Sequence, residues 1–379
     1  MTITIKTFKL YSLFFWQARL VFKAVYILLL SFISVLAHSA SFESNDHAVI
    51  LMYHHVSNDT PASTSISPVK FKKHIEYLID NNFTIWPLSK TLSYLVTNKS
   101  LPSKTVVITF DDAYKSVYTK AFPLLKKHKL PFTVFVTTGY IGEENFNFMS
   151  WDQLREITMS GGELGNHSDR HEHLVRKKNN ETAQQWRLRI RNEIIRAQTI
   201  LKEQTGNPIR VVAYPYGEYS TELKKIIMDL GYFGLGQHSG VAHRSSDFQS
   251  IPRYPLSTGF DDLEDFALKV SSLSLPVTVI SPKNGVLSKE IEIPELKLQL
   301  HEADYDKNNF ACYASGQGKI KLQWLNKDQG LVNVKANSVI SPGRTKYNCT
   351  APSRNKNNVF YWFSFLWMKP LADGSWYIE

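Results

Sequence analysis

Two cysteines in 379 residues, Cys312 and Cys349, are too few for a scaffold held together by disulfides. The chain has no low-complexity tract and no internal repeat, which argues against a disordered segment or a solenoid. It also lacks an apolar run of the roughly 20 residues that span a bilayer. The longest such run, Ala24 to Ala37, is shorter than that. It follows a basic stretch (Lys6, Lys9, Arg19, Lys23) and precedes the small residues Ala37-His38-Ser39-Ala40. This is the pattern of a secretory signal cleaved near residue 39 or 40. Because Leu10 to Trp16 is also apolar, an uncleaved N-terminal anchor is the alternative. The formal charge of +10 includes those four basic residues, leaving +6 spread over the rest. No dense basic stripe marks a nucleic-acid surface. The charge better suits mild attraction to an anionic envelope surface. In an exported chain an even, sparse cysteine count favours one disulfide over two buried thiols. Closing that loop stabilises by about 4 kcal/mol in the chain-entropy model.

From about residue 45 to 260, short apolar runs alternate with amphipathic stretches. Ala48–Tyr53, Thr105–Phe110, Phe132–Thr137, Gly162–Gly165, Arg210–Ala213 and Tyr232–Leu235 read as strands. Val69–Leu78, Ser116–His128, Trp151–Met159, Gln184–Gln204 and Thr221–Leu230 read as helices. Such alternation predicts a parallel sheet of βα units, and about seven units predict a distorted (β/α)7-type barrel. Chemistry in such barrels sits at the C-terminal ends of the strands. After Asp261 the pattern changes. Glu295–Leu300 and Lys319–Trp324 alternate cleanly between turn residues, which predicts a C-terminal β-sandwich. The order Cys312, Trp324, Cys349, with Tyr347 two residues before the second cysteine, suggests an immunoglobulin-like pin and tyrosine corner. The predicted organisation is a signal or anchor over 1–40, an α/β domain over 41–262 and a β-sandwich over 275–379. The segment Phe360–Trp367 is aromatic on both strand faces. One face belongs to the core, and the other either packs on the barrel or stacks on a ligand.

Three clusters carry chemistry. The first is Asp111-Asp112 at the end of a strand. Adjacent carboxylates repel unless a cation lies beside them, although an aspartate can also simply cap a helix. The second runs from Asn166 to His173. His167 and His171 are four residues apart and can present both imidazoles to one divalent ion. With an aspartate they form a three-ligand set, which leaves positions open and is catalytic in style. The third is Ala213-Tyr214-Pro215-Tyr216-Gly217-Glu218, a turn able to aim a backbone N–H at a developing oxyanion.

Thr109-Phe110-Asp111-Asp112, His167-Ser168-x-x-His171 and Tyr214-Pro215-Tyr216 together resemble the first three motifs of the polysaccharide deacetylases of carbohydrate esterase family 4, the NodB-homology domain. Leu51-Met-Tyr-His-His-Val56 resembles a segment of the subgroup acting on poly-β-1,6-N-acetylglucosamine. The resemblance spans roughly residues 48 to 258. It implies Asp111 as general base and Asp112, His167 and His171 as ligands of one divalent ion, usually zinc. It also implies Tyr216 as the backbone oxyanion donor. The implied substrate is an N-acetylated polysaccharide, and the implied reaction is hydrolysis of its acetamide. Two departures stand out. The family's third motif usually opens with an arginine that orients the base, and Ala213 occupies that place. The later Leu-x-His motif that supplies the general acid is not evident. His54, His55 and His238 are candidates for the acid, and His54 is preferred because it ends the first strand. A catalytically inactive glycan-binding protein on the same fold, or a deacetylase of peptidoglycan or chitin oligomers, are the competing readings. The sequon Asn166-His167-Ser168 is read as accidental, since a glycan there would block the metal site.

Overall fold

A computed structural model describes residues 46–142 and 145–378. The signal or anchor expected over 1–40 lies outside the described residues. Those residues belong to one compact unit. Among them, no helix is long and apolar enough to cross a membrane.

The first part is a curled, mainly parallel sheet. Its principal strands are β1 (His47–Tyr53), β2 (Thr105–Phe110), β3 (Thr133–Val136), β4 (Glu163–Asn166), β5 (Val211–Ala213), β6 (Phe233–Leu235) and β7 (Tyr254–Pro255). They run β1-β2-β3-β4-β5-β6 across the sheet. The segment ending in β7 turns the sheet back on itself. Ile251 bridges Leu235 of β6, and Tyr254 pairs with Leu51 of β1. This is the distorted barrel expected from the alternating pattern.

Period-two alternation assigns the two faces. Ala48, Ile50, Val107, Phe135, Val211, Ala213, Leu235 and Ile251 cluster together, joined by Leu88, Leu92 and Leu95. The alternate residues Val49, Leu51, Tyr53, Val106, Ile108, Phe110, Val134 and Val136 face the helices. Their partners there include Phe71, Ile75, Leu78, Leu154 and Ile157. The helices are α1 (Pro68–Asp80), α2 (Leu88–Val96), α3 (Phe122–Lys127), α4 (Trp151–Met159), α5 (Ala183–Thr205), α6 (Thr221–Asp229) and α7 (Leu263–Val270). Their starts follow ordinary capping chemistry. Ser67 caps α1 ahead of Pro68, and Ser150 with Gln153 and Thr182 with Gln185 form capping boxes on α4 and α5. The helix expected over 116–128 is split. A wider turn covers Val117–Ala121 before α3, which carries Pro123 in its first turn, where no N–H is needed.

The second part is a β-sandwich. Strands β8 (Val277–Ser281), β9 (Glu295–Leu300), β11 (Lys321–Asn326) and β12 (Leu331–Lys335) form one sheet in the order β8-β9-β12-β11. Strands β10 (Ala311–Ala314), β13 (Gly343–Pro352) and β14 (Phe360–Lys369) form most of the other. Leu296, Leu298, Val332 and Val334 meet Cys312, Tyr347, Cys349 and Trp367 in one core.

The immunoglobulin-like pin is not formed as expected. Cys312 and Cys349 are bonded, but they are register partners on β10 and β13, with Cα atoms 4.0 Å apart. The bridge therefore staples neighbouring strands of one sheet, whereas a pin joins two sheets. The fully buried tryptophan of the core is Trp367, and Trp324 is only partly buried. Tyr347 does tie down backbone: its hydroxyl donates to Pro294 O at 2.8 Å and accepts from Ala336 N at 3.0 Å. Strand β14 uses both of its faces for packing. Phe363, Phe365 and Trp367 face the sandwich core, while Leu366 and Met368 join Val212 and Tyr214 of the barrel. Trp362 packs edge-on against Tyr254 of β7.

The cysteines should titrate as zero free thiols in the unreduced, denatured protein. The Cys312→Ala/Cys349→Ala double variant should lose about 2–4 kcal/mol of stability in urea unfolding. Two reactive thiols before reduction would show that the bridge does not form.

Candidate metal centre and active site

Strand parity builds the site before any motif is considered. Continuing the inward positions of each strand beyond its C-terminal end leads from Ile50 to His54, from Val107 to Asp111 and from Gly165 to His167. The same alternation carries Ile251 to Arg253. Gly165 is required by this packing, because a Cβ there would sit 2.4 Å from the Phe135 ring. Asp111, His167 and Arg253 are completely buried, and Asp112 nearly so.

Asp112 Oδ1 lies 3.2 Å from His167 Nε2 and 3.2 Å from His171 Nε2. The two Nε2 atoms are themselves 3.2 Å apart. Asp112 Oδ1 is buried, yet it has no partner in hydrogen-bonding geometry among the described residues. A buried acceptor left in that condition is costly, and a cation held by these three atoms would satisfy it. A tetrahedral ion with bonds of about 2.0–2.1 Å places its ligand atoms roughly 3.3 Å apart, close to the spacing seen. The donor set of one carboxylate and two imidazoles therefore fits a divalent ion. Burial alone would raise the Asp112 carboxyl, but the two imidazoles beside it outweigh burial and hold it well below the usual range.

The ligands are themselves oriented. His167 Nδ1 donates to Ala213 O at 2.7 Å, which leaves Nε2 with its lone pair available to a cation. His171 N donates to Ser168 Oγ, and Ser168 N donates to Asn166 Oδ1, each at 2.9 Å. Buried Glu193 of α5 accepts the N–H groups of Asp169 and Arg170, fixing the loop between the histidines. Asn166 is buried and bonded to Ile194 O, so its amide is unavailable for a glycan. Asp112, Ala113, Ser168, His171 and Tyr216 all have φ between 55° and 71°. Left-handed backbone at non-glycine residues is strained and gathers at functional sites.

Asp111 stands beside the triad and is held by Arg253. Nη1 donates to Oδ1 at 2.7 Å and Nη2 to Oδ2 at 2.8 Å. Arg253 also donates to Gly236 O and Thr109 Oγ1, and its guanidinium lies over the Phe135 ring. Burial pushes the Asp111 carboxyl up, but Arg253 and His167 outweigh it and keep the carboxyl below the usual range. The arginine missing at position 213 is thus supplied from the segment that closes the barrel. Sequence reasoning missed it because the last strand was placed at 232–235. The alternation Ile251-Pro252-Arg253 was the available signal.

Of the three candidate acids, His54 is brought to the site, with Nε2 3.9 Å from Asp111 Oδ2. Burial lowers its basicity against the pull of Asp112 and Asp111. His55 instead stacks on Tyr114 with ring centroids 3.5 Å apart. His238 is buried beside Tyr219, where burial lowers it to about 3. A chain of rings also surrounds the triad and was not legible beforehand. Tyr114 stacks on Phe148, Phe148 meets Tyr140, and Tyr140 meets His171. Tyr216 continues the chain at His171 and stacks on His173 at 3.7 Å. Aromatic walls with a few convergent polar groups suit a sugar ring, which offers C–H faces and hydroxyls.

The polysaccharide deacetylase family model matches residues 98–234, which contain all three clusters. Bacillus subtilis YxkH, a polysaccharide deacetylase by name, is 30% identical over 213 residues, covering 55% of this chain and 71% of YxkH. The chain belongs to the polysaccharide deacetylase family. The poly-β-1,6-N-acetyl-D-glucosamine N-deacetylase of Staphylococcus aureus is 28% identical over 211 residues, covering 54% of this chain and 71% of that enzyme. Among solved structures, IcaB from Ammonifex degensii superposes with a TM-score of 0.52 at 28% identity, covering 60% of this chain and 98% of IcaB. The Streptococcus pyogenes deacetylase PplD has a TM-score of 0.53 at 23% identity, covering 59% of this chain and 98% of PplD, and shares the fold.

Two measurements check this site. Equilibrium dialysis against zinc should give one ion per chain, with binding lost in Asp112→Ala and His167→Ala. Arg253→Met should cost about 3–5 kcal/mol of stability near neutral pH, because it leaves Asp111 buried and unpaired. The ion pair lowers the Asp111 carboxyl in the folded state, so its contribution is present above the unfolded-state value and is lost as pH falls. The gap between variant and wild type in urea unfolding should therefore narrow in acid. A constant gap would assign the loss to packing.

Proposed function

We propose that this protein is an exported, metal-dependent N-deacetylase acting on a poly-N-acetylglucosamine-like matrix polysaccharide. The single observation that carries the reading is the fully buried Asp111 carboxylate, clamped by Arg253 beside a metal-ready triad. A structural ion pair alone would not require that carboxylate to stand beside a cluster of metal-ligand type, which favours an enzyme over a glycan binder. The inactive reading rests on the missing arginine and the missing acid motif. Arg253, bonded to Asp111, and His54, beside it, supply candidates for both and support the enzyme reading. The substrate assignment rests on the named activity of the Staphylococcus aureus relative and on the aromatic rim. The catalytic domain is taken as 41–262 and the sandwich as 275–379. Export rests on the basic and apolar pattern of residues 1–40.

Asp112, His167 and His171 would hold the divalent ion, and zinc suits this nitrogen and oxygen donor set. Such an ion, when bound, polarises an amide carbonyl and lowers the pKa of water. Asp111 accepts the proton of the attacking water. Arg253 keeps both of its carboxylate oxygens in fixed directions, so the base needs no reorientation at the moment of reaction. The backbone N–H of Tyr216 faces the negative charge that develops on the acetyl oxygen. His54 returns a proton to the departing amine, which releases acetate and leaves a free amine on that sugar of the polymer. The aromatic chain from Tyr114 to Tyr216 holds the sugar and limits water around it.

Acetate release should be measured on poly-β-1,6-N-acetylglucosamine, peptidoglycan and chitin oligomers, with and without chelator. The first polymer should be the best substrate, and chelation should stop turnover until metal is restored. Asp111→Asn should retain the ion and lose at least about 10³-fold in kcat, and His54→Ala about 10²-fold. No acetate from any of the three with the ion fully bound would reject the enzyme reading. Near-normal turnover in Asp111→Asn would reject its role as base.

A further inference from the structure

The loops after β5 and β6 are gripped from the sandwich. On β13, Arg344 and Lys346 are two residues apart and project to the same side, while Thr345 and Tyr347 turn into the sandwich and are buried. Arg344 Nη1 donates to Tyr216 O at 3.0 Å. Lys346 Nζ donates to Gln237 O at 2.7 Å. The two gripped loops also touch each other. Gly217, at φ +69°, lies so close to Gln237 that a Cβ would fall 2.5 Å from the Gln237 Cβ. The tail beyond β14 adds a third hold. Glu218 is fully buried and accepts from His173 Nδ1 at 2.9 Å, Arg176 Nη2 at 3.0 Å and the Tyr377 hydroxyl at 2.6 Å. Arg176 Nη1 also donates to Tyr377 O at 2.7 Å. His173 in turn carries the stacked ring of Tyr216.

All of these contacts converge on one strained turn. Tyr216 has φ 60° and ψ 4°, a left-handed conformation that a tyrosine leaves unless its surroundings over-determine it. Its carbonyl is held by Arg344, its ring by His173, and the carboxylate of Glu218 is held partly by the C-terminal tail. Fixing both the carbonyl and the ring fixes φ and ψ, and so the direction of the Tyr216 N–H. Hydrogen bonds from a charged donor are the stronger kind, and Arg344 supplies one to a carbonyl. An interface that merely joined two domains could grip any part of the barrel surface. This one grips the third motif and the loop that packs against it.

We propose that the C-terminal sandwich is part of the catalytic apparatus, with Arg344 as a positioning residue for the Tyr216 turn, supported by Lys346 and Tyr377. The inference rests on the reading that the Tyr216 N–H serves the acetyl oxygen. Arg344 acts through Tyr216 and touches no reacting atom.

The test uses the full-length, zinc-loaded protein and two readouts. Arg344→Met should lower kcat for acetate release at least about tenfold while leaving KM within about twofold, since a displaced donor weakens transition-state contacts more than ground-state binding. Arg344→Lys should recover part of the loss. Zinc content should stay at one ion per chain. Amide hydrogen exchange over 214–219 should quicken in Arg344→Met, with protection over 163–171 unchanged. Wild-type kcat, or unchanged exchange over 214–219, overturns the proposal. Exchange needs no substrate. If the wild-type protein releases no acetate, the deacetylase reading fails, while the exchange comparison still decides the positioning role. Should Arg344→Met unfold, Tyr377→Phe removes one hydroxyl from Glu218 and is judged by the same exchange criterion.

Discussion

The bidentate pair between Asp111 and Arg253 organises this barrel. Both side chains are completely buried, and neither charge would be tolerable there alone. Placing the pair demands that β2 and the closing segment 251–255 meet across the barrel interior. The same segment pairs β7 with β1 and Ile251 with Leu235. The guanidinium also bonds Gly236 O and Thr109 Oγ1 and rests over Phe135, so one side chain ties together the ends of three strands. Such a pair need not add net stability over an apolar core. Its use here is geometric: it fixes one carboxylate beside the Asp112, His167 and His171 cluster that could hold a metal ion.

The rest of the site follows the same logic of support from behind. The carbonyl of Ala213 orients His167, and the side chain at that position has no part in it. Ser168, Asn166 and Glu193 shape the loop that carries the two histidines. Left-handed backbone also occurs at ordinary turns such as Asn82 and Asn358, but in the site it falls at Asp112, Ser168, His171 and Tyr216. The third-motif turn follows this pattern over the longest distance, since its supports come from β13 and the C-terminal tail. Packing on β14 agrees with that closeness. One of its faces belongs to the sandwich core and the other to the barrel cluster.

Much of the fold was legible because amphipathic period and strand alternation are local properties. The strands over 105–110 and 295–300 and the helix over 151–159 match their sequence limits. The two-residue β7 was not legible, because it carries too few periodic positions to stand out from a loop. Helices α2 and α7 went unpredicted, although α2 is as long as α4 and has Leu88, Leu92 and Leu95 at helical spacing. The metal triad was readable because its members sit in compact motifs. Arg253 was not, because it lies about 140 residues from its carboxylate and in a segment with almost no strand signal. The immunoglobulin-like pin failed for a related reason. Cysteine spacing constrains which residues can pair, but it does not say whether the partners share a sheet.

The family resemblance, and not spacing, named Asp111 as candidate base and Asp112 as candidate ligand. The sequence alone determined the alternating α/β pattern, the change to β structure after residue 261 and the Asp111-Asp112 and His167/His171 motifs. These depend on residue type and short spacing. Tertiary structure decided how the barrel closes, which arginine holds Asp111, which histidine stands at the mouth and what supports the Tyr216 turn. Each of those depends on which strand ends are brought together. Chain closure sets that, and no local periodicity encodes it.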